Sequence, residues 1–343
     1  MRKVKVLVAH HMARDEDLKR IMAVAPGVEA VQGTYVDQMT QDWVDSYRAS
    51  SPGLHKPLDG SIFYKHAGDA EVIFGLRLPK NIVEIAPKLK WMHVYGAGVD
   101  YLAGTGVLEK GITLTNSAGI NAPPIAEFVM MYMIMRVKHM VKRLEAQRQS
   151  KWVRYVNDEL RDATVGIVGP GHIGSEVAKR AEAFGMRVLA ARRSYTPGQK
   201  LPHVHQVYPM AKLREMLPQC DYVVVAVSLT KETAHLIGEA EFKAMKPGAY
   251  FINVARGGVV DQEALIRALQ SKHLGGAGLD VFEPEPLPPT SPLWTMPDVI
   301  VTPHNSGGIR AHTERAAVFF CEQLGRYLKG ETLENVVDPA KGY

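Results

Sequence analysis

Cysteine is almost absent from the chain, which has only Cys220 and Cys321 among its 343 residues. Two distant cysteines cannot build a disulfide framework, and no close spacing of Cys and His indicates a metal site. Both cysteines have apolar neighbours, which favours reduced side chains packed in a core. The composition therefore predicts a protein that holds no metal.

Hydrophobic runs of membrane-spanning length are also missing. The longest apolar stretch is interrupted at Arg136 and Lys138, short of the roughly 20 residues that a transmembrane helix needs. Near the N-terminus, the apolar run at residues 6–9 is too short for a signal peptide, and no cleavage site follows it. We therefore expect a soluble, cytoplasmic protein that does not bind a membrane.

The chain has no long run of like charges. Its 41 basic and 36 acidic residues give a formal net charge of +5, without a basic tail or a basic patch interleaved with aromatics. Nucleic acid is therefore not an expected partner, whereas a small anionic substrate and an anionic cofactor suit a mildly positive cleft. The length suggests about two domains of roughly 150 residues each.

The most informative stretch is residues 164–194, TVGIVGPGHIGSEVAKRAEAFGMRVLAARRS. A short apolar run leads into Gly169, Gly171 and Gly174, a helical pattern follows, and a second apolar run ends at two arginines. Strand, glycine turn, helix and strand in this order are typical of a dinucleotide-binding unit. The first glycine permits the turn, the second a close approach to the pyrophosphate, and the third close packing of helix on strand. The helix start offers free N–H groups to the phosphates.

The end of the second strand indicates which dinucleotide binds. NAD sites usually have Asp or Glu there to accept a hydrogen bond from the ribose 2′-hydroxyl, whereas this chain has Arg192 and Arg193, followed by Ser194. Guanidinium groups can bind a 2′-phosphate bidentately. We therefore predict that NADP(H) is preferred and NAD(H) is possible; the alternative is two exposed arginines on a loop.

Apolar runs alternate with helical patterns through both halves of the chain, which predicts parallel sheets covered by helices. Strands are expected at residues 5–9, 69–75, 89–95, 112–116, 165–168, 187–191, 222–227, 248–254, 275–280 and 299–302, and helices at residues 15–25, 122–135, 173–184, 211–217, 262–271 and 311–329. Residues 28–36 are ambiguous, residues 45–68 suggest an extended surface loop or a flap, and residues 146–162 suggest a connection. We predict an α/β protein with two Rossmann-like or flavodoxin-like, doubly wound parallel-sheet domains. They are residues 1–120 with 310–343, which bind substrate, and residues 121–309, which bind the dinucleotide.

Reactive side chains follow three successive strands of the predicted dinucleotide-binding sheet. Arg256, Asp280 and His304 stand at the three strand ends, and Glu283 and Glu285 lie in the proline-rich loop after Asp280. Ligands of open α/β sheets bind beyond the carboxyl ends of the strands. We therefore expect these side chains to meet at one edge of the sheet.

This set of residue types suits the reduction of a 2-keto acid. The reaction adds a hydride to the carbonyl carbon and a proton to its oxygen, and His304 can supply the proton. A carboxylate, Glu285, would stabilise the imidazolium, and Arg256 would bind the substrate carboxylate and polarise the carbonyl. Glu283 competes with Glu285 for this role.

Each of these side chains also has a structural alternative. His304 could cap or pack, Arg256 could form an ion pair, and the glutamates could be solvated. Asp280 could accept a hydrogen bond from the nicotinamide amide, or it could form a helix cap or a salt bridge. The glycine-rich turn at residues 96–98 could present backbone amides to a carboxylate or be an ordinary tight turn.

Seven segments together resemble the D-isomer-specific 2-hydroxyacid dehydrogenase family, particularly its NADP-preferring glyoxylate/hydroxypyruvate reductase-like branch. They are YGAGVD at 95–100, NSAGINAPPIAEFVM at 116–130, ELRDATVGIVGPGHIGSEVA at 159–178, SLTKETAHLI at 228–237, INVARGGVVDQEAL at 252–265, GGAGLDVFEPEPLP at 275–288 and VIVTPHNSGG at 299–308. The resemblance implies two lobes with the active site in the cleft between them. It also implies a homodimer formed through the long-helix region, which suits the Met130, Met131, Met133 and Met135 stripe; a core role is the alternative.

The resemblance also assigns the site residues. It implies that Arg256, Glu285 and His304 are catalytic, with Glu285 rather than Glu283 as the partner of His304. It places the substrate carboxylate at the backbone amides of Ala97 and Gly98. The implied cofactor contacts, besides the three glycines and residues 192–194, are His172 and Ile173 at the pyrophosphate, Val227 and Ser228 near the adenosine, Val254, Ala255 and Asp280 near the nicotinamide, and Gly307.

The chain departs from the family pattern at several points. Pro170 stands inside the glycine motif, although proline removes only one N–H from the turn. Arg192 replaces the usual Asp, and Asn305-Ser306 leaves the shape of the pocket open. The leading hypothesis is a reductase of glyoxylate or hydroxypyruvate, and bulkier substrates such as arylpyruvates are the alternative. A dinucleotide-sensing regulator on the same scaffold is the runner-up. Oxidation of formate or phosphite is less favoured, since the formate branch has Gln in place of Glu285.

Overall fold

The computed structural model describes residues 2–48, 58–102 and 104–338. Its internal contacts divide the chain into two compact units, Met1–Ile120 with Ile309–Tyr343, and Asn121–Gly308. Among the described residues, no helix is long and apolar enough to cross a membrane. Both units have an α/β fold, and every pairing between the named strands is parallel.

The strands and helices of the described chain have the following bounds. The strands are β1 (Val4–Ala9), β2 (Val28–Gln32), β3 (Val72–Gly75), β4 (Trp91–Val94), β5 (Thr113–Asn116), β6 (Thr164–Val168), β7 (Arg187–Arg192), β8 (Gln206–Pro209), β9 (Tyr222–Val225), β10 (Tyr250–Asn253), β11 (Gly276–Leu279) and β12 (Val299–Val301). The helices are α1 (Asp15–Met22), α2 (Gln38–Arg48), α3 (Ser61–Ala67), α4 (Ile82–Ile85), α5 (Ala122–Val137), α6 (Met140–Arg148), α7 (His172–Ala183), α8 (Leu213–Met216), α9 (Glu239–Ala244), α10 (Gln262–Gln270) and α11 (His312–Lys329).

The first unit is built on a five-stranded sheet with the order β2-β1-β3-β4-β5. Alternate residues of β1 enter two different cores, Val6 and Val8 on one face and Leu7 and Ala9 on the other. A strand buried on both faces must be apolar throughout, which is why the strand pattern was readable from the sequence. Phe320 of α11 stacks on the β3 side chain Phe74 with ring centroids 4.4 Å apart.

The prediction of an extended loop at residues 45–68 was wrong on both flanks. Helix α2 continues through residue 48 and α3 spans residues 61–67, while residues 49–57 lie outside the described part. The α3 side chains Phe63 and Ala67, four residues apart, are fully buried against the sheet. Tertiary burial of this narrow apolar stripe stabilises a helix that the surrounding polar and turn-forming residues concealed.

The second unit is built on a seven-stranded sheet with the order β12-β11-β10-β9-β6-β7-β8. After β6 the chain adds β7 and β8 on one side of that strand and then β9 on the other side. The border between β6 and β9 is therefore a topological switch point, where open α/β sheets bind ligands. Edge strand β8 had not been predicted, because Tyr208 is its one buried residue. On α5, Met130 and Met133 are buried in the core of this unit, as the core interpretation of the methionine stripe predicts.

Candidate active site

The glycine turn after β6 has the geometry of a phosphate cradle. Gly169 has φ +94°, and a Cβ there would lie 2.5 Å from Val227 Cγ1. A Cβ on Gly174 would lie 2.3 Å from the carbonyl oxygen of Gly169, so both glycines are required by the packing of the protein itself. A Cβ on Gly171 would meet no atom within 4 Å. The open space beside Gly171 fits a dinucleotide pyrophosphate, since internal packing does not explain the absence of a side chain there.

The turn leads directly into the start of α7. Gly171 is the N-cap residue, and His172 and Ile173 form the first helical positions. The N–H groups of a first helical turn have no partners within the helix, so this end can bind an anion. Pro170 is accommodated in the turn, where its carbonyl accepts a hydrogen bond from the Ser175 hydroxyl at 3.4 Å.

The arginines predicted to select the cofactor lie at the end of β7. Arg192 is the last residue of the strand and half-buried, whereas Arg193 and Ser194 are exposed. A hydrogen bond from Thr230 lowers the pKa of the Glu232 carboxyl, and the charge of Arg193 contributes to the same shift. The charge of Arg193 therefore acts on the loop after β9, which also contains Val227 and Ser228.

Arg256 is half-buried in the loop after β10, beyond the buried Val254 and Ala255. Its guanidinium donates a hydrogen bond to the Ala255 carbonyl at 3.0 Å. At the next residue, a Cβ on Gly257 would lie 1.8 Å from the Phe282 carbonyl oxygen. Only glycine permits this contact, which holds the loop after β10 against the loop that carries Glu285.

The structure brings His304 and Glu285 together. The imidazole Nδ1 lies 2.8 Å from Glu285 Oε2, and the Phe282 N–H donates to Glu285 Oε1 at 3.0 Å. Burial alone would raise the pKa of Glu285, but the hydrogen bond and charge of His304, the Phe282 N–H and the Arg256 charge together lower it. The carboxylate is therefore ionised near neutral pH and faces one ring nitrogen, while Nε2 lies on the other side of the ring.

Glu283 has a different partner from Glu285. Its carboxylate Oε2 lies 2.9 Å from Nε2 of His235, a residue of the loop after β9. The proline-rich loop thus carries two His–Glu pairs, and only the Glu285 pair contains a histidine at a predicted catalytic position.

Asp280 has a role that the sequence did not reveal. It is 1% exposed, and its carboxylate accepts hydrogen bonds from the Thr302 hydroxyl at 2.6 Å and from the N–H groups of Asn305 and Ser306 at 3.0 Å each. Its backbone carbonyl accepts from the His304 N–H at 2.8 Å. Asp280 therefore anchors the loop of residues 303–307, which carries His304. No sequence signal links these residues, because strand order alone makes them neighbours.

Gly307 lies at the end of the same loop. A Cβ there would come within 3.3 Å of the Asn121 side-chain nitrogen at the start of α5.

In the first unit, Ala97 and Gly98 lie in the turn after β4. The Ala97 carbonyl accepts a hydrogen bond from the Asn116 side chain at 2.9 Å. Among the described residues, no backbone hydrogen bond uses the N–H of Ala97 or of Gly98, and Ala97 is exposed. Both amides are thus available to an external acceptor. No group of three His, Cys, Asp or Glu residues in the described chain is arranged to hold a metal ion.

Known proteins resemble the chain in sequence and in structure. The family model for the NAD-binding domain of D-isomer-specific 2-hydroxyacid dehydrogenases matches residues 130–306. A glyoxylate reductase from Korarchaeum cryptofilum is 34% identical over 268 residues, which cover 75% of this chain and 79% of the relative. A D-3-phosphoglycerate dehydrogenase from Methanocaldococcus jannaschii is 34% identical over 275 residues, 79% of this chain, but the chain spans only 52% of that relative.

Among solved structures, one similar protein is an NADPH-dependent glyoxylate/hydroxypyruvate reductase from Sinorhizobium meliloti in complex with NADP and sulfate. It is 27% identical, has a TM-score of 0.79, and the match covers 99% of this chain and all of the other. The matched fold has the two parallel-sheet α/β domains predicted from the sequence. These similarities confirm the resemblance drawn from the seven sequence motifs, and the chain belongs to the D-isomer-specific 2-hydroxyacid dehydrogenase family of NAD(P)-dependent oxidoreductases.

Proposed function

We propose that this enzyme is an NADP(H)-dependent reductase of small 2-keto acids, with His304 as the proton donor. The observation that carries the proposal is the 2.8 Å contact between His304 Nδ1 and the ionised Glu285. A carboxylate on one ring nitrogen favours the protonated imidazole and fixes the direction of the other nitrogen. The ring is 44% exposed and therefore accessible to a substrate.

The proposed reaction divides the work between the cofactor and the side chains. The dinucleotide, when bound, supplies the hydride that adds to the carbonyl carbon. The His304 imidazolium donates its Nε2 proton to the carbonyl oxygen, so that the keto acid becomes a hydroxy acid and the imidazole becomes neutral. Glu285 stabilises the imidazolium before the transfer, and solvent returns the proton afterwards. Arg256 binds the substrate carboxylate, and the amides of Ala97 and Gly98 are the candidates for this role in the first unit.

The cofactor preference rests on Arg192 and Arg193, which replace an acidic residue at the end of β7 and can bind a 2′-phosphate. The Sinorhizobium relative that binds NADP supports this choice. The residues that would hold the dinucleotide are Gly169, Gly171, His172, Ile173 and Gly174 at the pyrophosphate, Arg192, Arg193, Ser194, Val227 and Ser228 at the adenosine phosphate end, and Val254, Ala255, Asp280 and Gly307 at the nicotinamide end.

The substrate class is tested by following NADPH or NADH absorbance with glyoxylate, hydroxypyruvate, pyruvate, phenylpyruvate and 2-ketoisocaproate. The names of the glyoxylate and hydroxypyruvate reductases among the relatives support the two smallest acids, and we expect the highest kcat/KM there. Tight NADPH binding without turnover of any 2-keto acid would refute the proposal and favour the regulator.

We further propose that the enzyme is a cytoplasmic homodimer. Trp152 and Val156, in the segment after α6, have 91% and 90% of their surface exposed, and exposed apolar side chains of this size mark protein interfaces. Light scattering should give about twice the chain mass of 37.9 kDa. Trp152→Ser with Val156→Ser should give monomers, whereas Trp294→Ser, at a residue 50% exposed, should not.

A further inference from the structure

We propose that Tyr132 and Thr302 are positioning residues that hold the His304 loop in place through Asp280. The inference rests on the proposed role of His304 as proton donor. Tyr132 lies on α5, outside the strand-end loops, and its hydroxyl oxygen is 2.5 Å from Thr302 Oγ1. Thr302 Oγ1 is in turn 2.6 Å from Asp280 Oδ1. Three side chains thus form one hydrogen-bonded chain from the helix to the loop.

The direction of donation along this chain is determined. The Thr302 hydroxyl donates its single proton to Asp280 Oδ1, and a threonine hydroxyl has no second proton to give. The Tyr132 hydroxyl must then donate to Thr302. Burial raises the pKa of the Tyr132 hydroxyl, which keeps its proton in place for this donation. The donation from Tyr132 to Thr302 therefore depends on the donation from Thr302 to Asp280.

Tyr132 is fixed in place at the helix end of the chain. Its side chain is fully buried, and a Cβ on Gly278 of β11 would lie 2.5 Å from Tyr132 Cγ. The ring therefore lies directly against the backbone of the strand that directly precedes Asp280. This packing of α5 on β11 fixes the position of the Tyr132 hydroxyl relative to the Asp280 carboxylate.

At the other end, Asp280 holds the backbone of the histidine loop. Its two oxygens accept the N–H groups of Asn305 and Ser306, the residues directly after His304. His304 itself has φ +48°, in the left-handed region that non-glycine residues adopt uncommonly. Loss of the Thr302 hydroxyl would free Asp280 to rotate and would loosen the imidazole that faces Glu285.

A double-variant experiment separates positioning from stability. Thr302→Val removes a donor to Asp280 and also leaves the Tyr132 hydroxyl buried without an acceptor, so we expect Tm to fall by about 2–4 °C. In Tyr132→Phe with Thr302→Val no hydroxyl is stranded, although Asp280 still lacks a donor, and Tm should recover in part. The kcat for 2-keto acid reduction at saturating NADPH should remain about tenfold low in both variants, with KM changed less than about twofold.

Three further variants complete the design. Tyr132→Phe alone should lower kcat about threefold, and Thr302→Ser, which keeps the hydroxyl, should stay within about twofold of the parent. Tyr250→Phe is the matched control, because Tyr250 is a buried tyrosine of the same unit whose hydroxyl has no partner among the described residues. We expect Tyr250→Phe to lower neither kcat nor Tm.

Hydrogen exchange of the peptide at residues 303–308 tests the anchor without any substrate. The amides of this peptide should exchange about tenfold faster in Thr302→Val and in the double variant, and at the parent rate in Tyr250→Phe. Unchanged exchange in Thr302→Val, or a kcat that recovers together with Tm in the double variant, would overturn the positioning role. Full turnover by His304→Ala would instead overturn the proposed function, and the exchange rates would still decide whether Tyr132 and Thr302 anchor the loop.

Discussion

Replacement of Glu285 by Gln tests the charge that faces the proposed proton donor. The amide is close in size to the carboxylate, and its oxygen can still accept the hydrogen bond from His304 Nδ1, while its NH2 group replaces the oxygen that accepts from the Phe282 N–H. The change therefore removes the negative charge while it retains the orientation of the ring. We expect slower reduction, because the imidazolium that donates the proton loses its counter-charge.

The size of the effect follows from the geometry of the pair. Two unit charges about 4 Å apart attract by ~1 kcal/mol in water and by ~4 kcal/mol at an effective dielectric constant of about 20. The His304 and Glu285 side chains are 44% and 36% exposed, so solvent screens the pair and the lower half of this range applies. A loss of about 1–2 kcal/mol corresponds to a fall of roughly 5- to 30-fold in kcat/KM.

The assay follows NADPH absorbance with glyoxylate at neutral pH. Glu283→Gln is the matched control, because this neighbouring carboxylate contacts His235 instead, and it should retain kcat/KM within about twofold. Equal losses in both variants, or none in Glu285→Gln, would refute the assignment of Glu285 as the partner of the proton donor.

Three other predictions follow from the same structure. Gly171→Ala should keep its Tm but bind NADPH about tenfold more weakly, as titration of cofactor fluorescence would show, whereas Gly174→Ala should lose stability because its Cβ would lie 2.3 Å from a carbonyl oxygen. Replacing Arg192 and Arg193 by Ser should raise the KM for NADPH at least about tenfold and leave that for NADH unchanged; an equal rise for both cofactors would contradict the role in 2′-phosphate binding. Burial, aided by the charges of two nearby histidines, lowers the pKa of His10 to about 3 from 6.5, so its contribution to stability is complete above pH 6.5 and is lost by about 1.4 kcal/mol per pH unit below it. His10→Phe should therefore flatten the fall of Tm with acid, and an unchanged slope would exclude His10 as a cause.

The sequence predicts best those elements whose burial is complete. All residues of β6 and of β9 through β11 are buried, so their apolar runs stand out without any knowledge of their neighbours. The edge strand β8 and helix α3 bury only one or two side chains each. Their local patterns are weak because the stabilising contacts come from residues distant in the sequence.

The residues of the candidate site also differ in how well the local sequence predicts them. The position of His304 after a strand is local information, and so are the glycines of the turn after β6. The partner of His304 is not local, because the choice between Glu283 and Glu285 depends on the course of a proline-rich loop. The hydrogen-bonded series Tyr132–Thr302–Asp280 is the feature that the sequence predicts least. Tyr132 and Thr302 are 170 residues apart, and neither belongs to a catalytic motif.

The order of the strands has a consequence for redesign of the enzyme. The proposed cofactor-selecting arginines end β7, whereas Arg256 and Asp280 follow β10 and β11, on the opposite side of the β6–β9 switch point. At about 4.8 Å per strand, β7 and β10 are roughly 14 Å apart, so the proposed cofactor-selecting residues and the proposed catalytic residues occupy separate parts of the sheet. We therefore expect that substitutions at the end of β7 can change the preference between NADPH and NADH without altering the geometry around Arg256 and Asp280.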